Sequence, residues 1–146
     1  MSTAHDATPT TGPGTTGDTK ETVARFIAAL GAGDTATLTR LLHPEATWWL
    51  PGRLAVSGRY VGRHAVLNDF LARGLSLYTP GTLTFEVTRM IAESDQVAVE
   101  WVARGVSAKG RDYQNYYNVA FTVWDGEIRE VREYCDTLYI NDVLYA

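Results

Sequence analysis

Near residue 83 the spacing of apolar residues changes from a helical repeat of about 3.6 to a strand repeat of about two, and few folds satisfy both halves. Before the change, Val23, Phe26, Ile27 and Leu30 fall at i, i+3, i+4 and i+7 and make one stripe. Asp18, with Glu21 three residues on, or Thr19 supplies its N-cap, and Gly31 or Gly33 its stop. A second stripe, Leu38, Leu41 and Leu42, follows the cap Asp34. A third, Val66, Leu67, Phe70 and Leu71, runs to Gly74, and "ATWWLPG" between them reads as a short strand or extended arm. After the change, Leu83, Phe85 and Val87 alternate with Thr84, Glu86 and Thr88. Val97, Val99, Trp101 and Ala103 do the same, as do Asn115, Tyr117, Val119, Phe121 and Val123. Asp125-Gly126 is a two-residue hairpin signal before a last strand, "EIREVREYCD". Helices first and an antiparallel meander afterwards predict an α+β domain, its helices covering one face of a curved sheet.

The chain of 146 residues suits one such domain, and a charged fraction of 21% is that of an ordinary globular protein. Its 13 basic residues are scattered and its net charge is −4, so no electropositive stripe is available for nucleic acid or an anionic membrane. No apolar stretch is long enough to cross a bilayer. The lone Cys135 excludes an internal disulfide, and His5, His43 and His64 lack ligand partners at metal-binding spacing, so no metal is expected. Residues 1–18, rich in Thr, Gly and Pro, are expected to form a disordered tail before a domain at 19–146. The tail lacks the cationic start and apolar core of a secretory signal, which makes the cytoplasm the default location.

The segments "FIAALGAGD", "LLHPEATWWLPG", "SGRYVGRHAVLNDFL" and "GRDYQNYYNVAFTVWDGEIREVREYCDT" resemble the SnoaL-like group of the nuclear transport factor two-like superfamily. The resemblance runs from about Lys20 to the C-terminus. It implies a cone-shaped, strongly bent sheet with helices closing an apolar pocket, and a homodimer formed through the outer sheet face. Ketosteroid isomerases of this superfamily place a tyrosine where this chain has Phe26 and an aspartate where it has Leu50, so that constellation is absent. Limonene epoxide hydrolases place an arginine and an aspartate where Trp101 and Ala103 stand. SnoaL-type cyclases use a final-strand aspartate as general acid–base in an intramolecular aldol closure, and Asp136 matches it. Their polar partners on the preceding strand would fall near Tyr117 and Val119.

Alternation along the last strand sets Arg132, Tyr134 and Asp136 on one face and Val131, Glu133 and Cys135 on the other. The family register makes the first face concave, with Asp136 the catalytic residue in a pocket lined by Phe26, Trp101, Tyr117 and Val119. A carboxyl so placed loses solvation and becomes able to exchange protons near neutrality. Against this stands a purely structural reading: "DTLYINDVLY" starts a helical turn and Asp136 is its N-cap. Asn115, Tyr117 and Tyr134 are candidates to hydrogen-bond a substrate oxygen, and one of Trp48 and Trp49 to line the cavity, Trp48 being the one taken here. The expected function is a cofactor-free cyclase or isomerase acting by acid–base catalysis on an apolar, carbonyl-bearing small molecule, in polyketide-type secondary metabolism. A non-catalytic module binding a hydrophobic ligand and an epoxide-opening hydrolase or cyclase are the alternatives.

Overall fold

The computed structural model describes residues 15–146. Helix α1, Thr16–Ala32, is capped by Thr15, three residues before the expected Asp18: Thr15 Oγ1 accepts from the Asp18 N–H at 3.2 Å and donates to the Asp18 carboxylate at 2.7 Å. Residues 15–18 thus belong to the folded domain, and the rest of the expected tail lies outside the described residues. Gly33 ends the helix in the left-handed region at φ 66°, where a side chain would be strained. All four residues of the stripe, Val23, Phe26, Ile27 and Leu30, are buried. Helix α2, Thr35–Leu41, is capped by Asp34, whose carboxylate accepts from both the backbone and the hydroxyl of Thr37; these bonds hold it below the usual carboxylate range.

Strand β1, Leu42–Leu50, follows without a loop and pairs antiparallel with β2, Gly58–Val61. A π-helical segment, Ala65–Leu71, then runs into the single turn α3, Ala72–Leu75, and brings Val66, Phe70 and Leu71 inward. Strands β3, Thr84–Glu93, β4, Gln96–Val106, β5, Asp112–Trp124, and β6, Glu127–Cys135, form the expected meander. Asp125 and Gly126 turn between the last two with φ of 52° and 73°, as a type I′ hairpin requires. The sheet order is β2-β1-β6-β5-β4-β3. One pair departs from the antiparallel expectation: β1 lies parallel to β6, with Trp48 opposite Val131. Register shifts in β3 and at the start of β6 bend the sheet. The chain ends in α4, Thr137–Ile140, and a second π-helical segment, Asn141–Tyr145. No helix among the described residues is long and apolar enough to cross a membrane.

The inner face of the bent sheet carries the core. Val97, Val99 and Trp101 stand opposite Phe121, Val119 and Tyr117, and Phe121 opposite Val131. Phe26 of α1 packs onto this layer, edge-on to Phe121 at 5.9 Å and tilted against Trp48 at 6.1 Å. The start of α1 is also tied to the β3–β4 turn: Ser94 donates its N–H to Thr16 Oγ1 at 3.0 Å and accepts from Thr19 Oγ1 at 2.8 Å. Since Phe121 is fully buried and braced on both sides, Phe121→Ala should lower unfolding free energy by about 3–5 kcal/mol in a urea titration, with the m-value unchanged.

Candidate functional site

On β6 the inner positions are Val131, Glu133 and Cys135, because their cross-strand partners Phe121, Val119 and Tyr117 all face inward. This reverses the face expected from the family register. Arg132 and Tyr134 point outward: Arg132 contacts Glu130 on the outer side, and Tyr134 is 45% exposed with its ring edge-on to Trp49. Asp136 stands one residue beyond the strand, where alternation no longer governs. Its exposed carboxylate caps α4, accepting from the Tyr139 N–H at 3.0 Å. The capping reading therefore describes its place, and it does not face the cavity.

The cavity lies between the inner sheet face and the helices and has a volume of about 100 Å³. Its walls are apolar on every side: Leu30 from α1, Phe70 and Leu71 from the π-helical segment, Leu75 from α3, and Ile140 and Leu144 from the C-terminal turns. Among the described residues that line it, Glu133 is the one charged side chain. The carboxyl is deep in the protein and keeps some free surface only because it faces this space. Loss of water pushes it up to about 7, and the indole N–H of Trp48 partly opposes that by favouring the charged form. That N–H makes no hydrogen bond of ordinary geometry, nor does the buried N–H of Trp101, which lines the same cavity.

Hydroxyls face the carboxyl. Tyr117 of β5 and Tyr78, from the loop after α3, both line the cavity. Burial raises both phenols, and the Glu133 carboxylate adds to the rise. The Tyr117 and Tyr113 hydroxyls are hydrogen-bonded to each other, and Tyr113 also receives Asn115 Nδ2 at 3.2 Å. Asn115 has its amide fully engaged, with Nδ2 donating to the Asp136 carbonyl at 3.2 Å and Oδ1 accepting from the Tyr116 N–H at 2.9 Å. Burial, with Glu133 and Asp136 adding, pushes the Cys135 thiol up to about 12, so it stays protonated and poorly nucleophilic.

Of the expected site residues, Trp48, Trp101 and Tyr117 come together on the cavity wall. Phe26 and Val119 are fully buried in the layer behind it, Asn115 braces the tyrosines, and Tyr134 and Asp136 lie elsewhere. Glu133 was missed, and Tyr78 was readable only as a candidate for the cavity mouth or a lid. Glu133 had a legible signal, since it sits between Val131 and Cys135 on the more apolar face of its strand. Tyr78 could not be placed more closely, because a loop residue carries no periodicity. Among the described residues, no three His, Cys, Asp or Glu side chains gather into a group able to hold a metal.

The model of the SnoaL-like domain matches residues 23–131. No curated protein matches. Among solved structures, Bal32a from a soil-derived mobile gene cassette is 25% identical, with 88% of this chain and 98% of that one covered and a TM-score of 0.78. A loop-truncation variant of IdmH is 26% identical over 86% of this chain and 98% of its own, with a TM-score of 0.71. A putative SnoaL-like polyketide cyclase from Jannaschia sp. CCS1 is 21% identical, with 98% and 99% covered and a TM-score of 0.77, a likeness of fold.

Two outcomes follow from this geometry. Glu133 titrates near 7 when folded and near 4.5 when unfolded, so the folded state binds the extra proton between those values. Stability is then highest below the lower value and falls as pH rises through the upper one, by roughly 3 kcal/mol in all. Guanidinium unfolding at several pH values should show that fall in the wild type and not in Glu133→Gln. Asp136→Ala should cost about 1 kcal/mol as a lost cap, and Asp136→Asn much less, in the same titration.

Proposed function

The chain belongs to the SnoaL-like family, and on that premise we propose that it is a cyclase or isomerase in which Glu133, rather than Asp136, moves the proton. The observation that supports this most is a single carboxyl in an apolar cavity, poised near neutrality and facing tyrosine hydroxyls. The substrate class is an apolar small molecule with a carbonyl. In its ionised form Glu133 removes a proton from the carbon beside that carbonyl. The C–H electron pair moves into the new C=C bond and the carbonyl π pair onto oxygen, where the Tyr117 or Tyr78 O–H steadies the enolate. The oxygen pair then re-forms the C=O, and the C=C pair attacks a second carbonyl of the same molecule, closing a ring while that carbonyl's π pair moves onto its oxygen and takes the proton from Glu133. In the isomerase route the C=C pair instead takes that proton at another carbon. Either route, once complete, returns Glu133 to its ionised form and needs no cofactor.

Polyketide-type secondary metabolism, a cytoplasmic location and pairing of two copies through the outer sheet face belong to the same reading. Exposed Tyr116 and Tyr134 supply apolar surface on that outer face.

The experiment is deuterium exchange at the carbon beside the ketone of 2-tetralone, a planar apolar probe, followed by NMR in heavy water. Wild type should accelerate it, with a rate that rises with pH and levels off above about 7. Glu133→Gln should lose about 10²–10⁴-fold and Tyr117→Phe about 10²–10³-fold. Exchange that is equal in wild type and Glu133→Gln would remove Glu133 from the chemistry. Saturable binding without exchange would favour a non-catalytic ligand-binding module.

A further inference from the structure

The cavity pairs a lone carboxyl with a nearly continuous aromatic wall. Trp48, Phe70, Phe85, Trp101, Tyr78 and Tyr117 all border it. Among the described residues no Lys, Arg or His lines it, and no cation contributes to the state of Glu133. The titratable groups facing the carboxyl are the hydroxyls of Tyr78 and Tyr117 and the thiol of Cys135, each held protonated at neutral pH. The walls supplied by α1, the two π-helical segments, α3 and α4 are apolar.

An occupant that fills this space displaces the water which solvates the carboxylate. An anionic occupant would then set two negative charges together in a poorly screened site. A neutral occupant leaves the carboxylate unpaired and drives it to take a proton. A cationic occupant pairs with the carboxylate, and the faces of the surrounding rings attract the same positive charge.

We infer that the cavity binds lipophilic monoamines, the ammonium seated against the Glu133 carboxylate and the apolar body held among Trp48, Phe70, Phe85 and Trp101. This goes beyond the proposed turnover and does not depend on it. If both hold, such an amine excludes the carbonyl substrate and keeps Glu133 ionised.

Titration calorimetry with three compounds of one shape tests it: 2-aminotetralin, the alcohol 2-tetralol and tetralin-2-carboxylate. At pH 8 the amine should bind more than about tenfold tighter than the alcohol, with the carboxylate weakest. The advantage of the amine should shrink by about tenfold per pH unit below about 7 as Glu133 takes a proton. In Glu133→Gln it should vanish, while the alcohol binds at least as tightly as to the wild type at pH 8, since no carboxylate is left unpaired. A measurement on the wild type alone guards against a variant that misfolds. At pH 7, repeating the titration in buffers of different ionisation heat should show proton release for the amine and uptake for the alcohol. Amine and alcohol of equal affinity at pH 8, an amine that does not bind, a preference retained in folded Glu133→Gln, or the same proton count for both compounds would overturn the inference. None of those results bears on deuterium exchange, so the proposed catalysis stands or falls separately.

Discussion

Desolvation of the Glu133 carboxyl is the interaction to which the rest of the site answers. A carboxylate on the inner face of a sheet is tolerated only where the packing leaves it a cavity or a partner. Here the bend of the sheet leaves the cavity, and the partner supplied is partial, the Trp48 indole on one side. The carboxyl therefore sits where small changes in occupancy change its protonation, which is the property a proton-transfer group needs. Its burial opposes stability above neutral pH, and the aromatic and aliphatic core formed by Phe26, Trp48, Phe121, Val119 and Val131 offsets that opposition.

The strand pairings explain why the carboxyl stays in place. Glu133 is fixed opposite Val119 by the β5–β6 ladder, and β6 is flanked on its other side by β1, which carries Trp48 next to it. The opposing hydroxyls are braced with equal care. Asn115, buried and fully hydrogen-bonded, ties Tyr113 to the backbone of Asp136, and Tyr113 in turn holds Tyr117. Asp136 thus contributes to the site at one remove: its side chain starts the closing turns, and its carbonyl anchors the amide behind the tyrosines.

Local patterns made most of the fold readable. The stripe of α1, the cap Asp34, the meander and the Asp125-Gly126 turn each rest on interactions between residues close in sequence or on strict alternation. The parallel β1–β6 pair was not readable, because pairing of distant strands leaves no mark within either. The helix start at Thr15 was hidden in a Thr-rich stretch, although Thr15 and Asp18 have capping-box spacing. At the site, Trp101 and Tyr117 followed from alternation within their strands, whereas alternation alone did not choose Trp48 over Trp49. The inward face of β6 came from the family register rather than from alternation, which rightly separates Arg132 and Tyr134 from Glu133 and Cys135, and the apolar neighbours of Glu133 were the better guide.

Carbon-13 NMR of the Glu133 carboxyl, assigned by its absence in Glu133→Gln, tests the central claim most directly. A titration midpoint near 7 is predicted for the unliganded protein. A midpoint at the ordinary glutamate value of about 4.3 would contradict it, because a solvated carboxylate would serve neither as the proton-transfer group nor as the unpaired anion of the cavity.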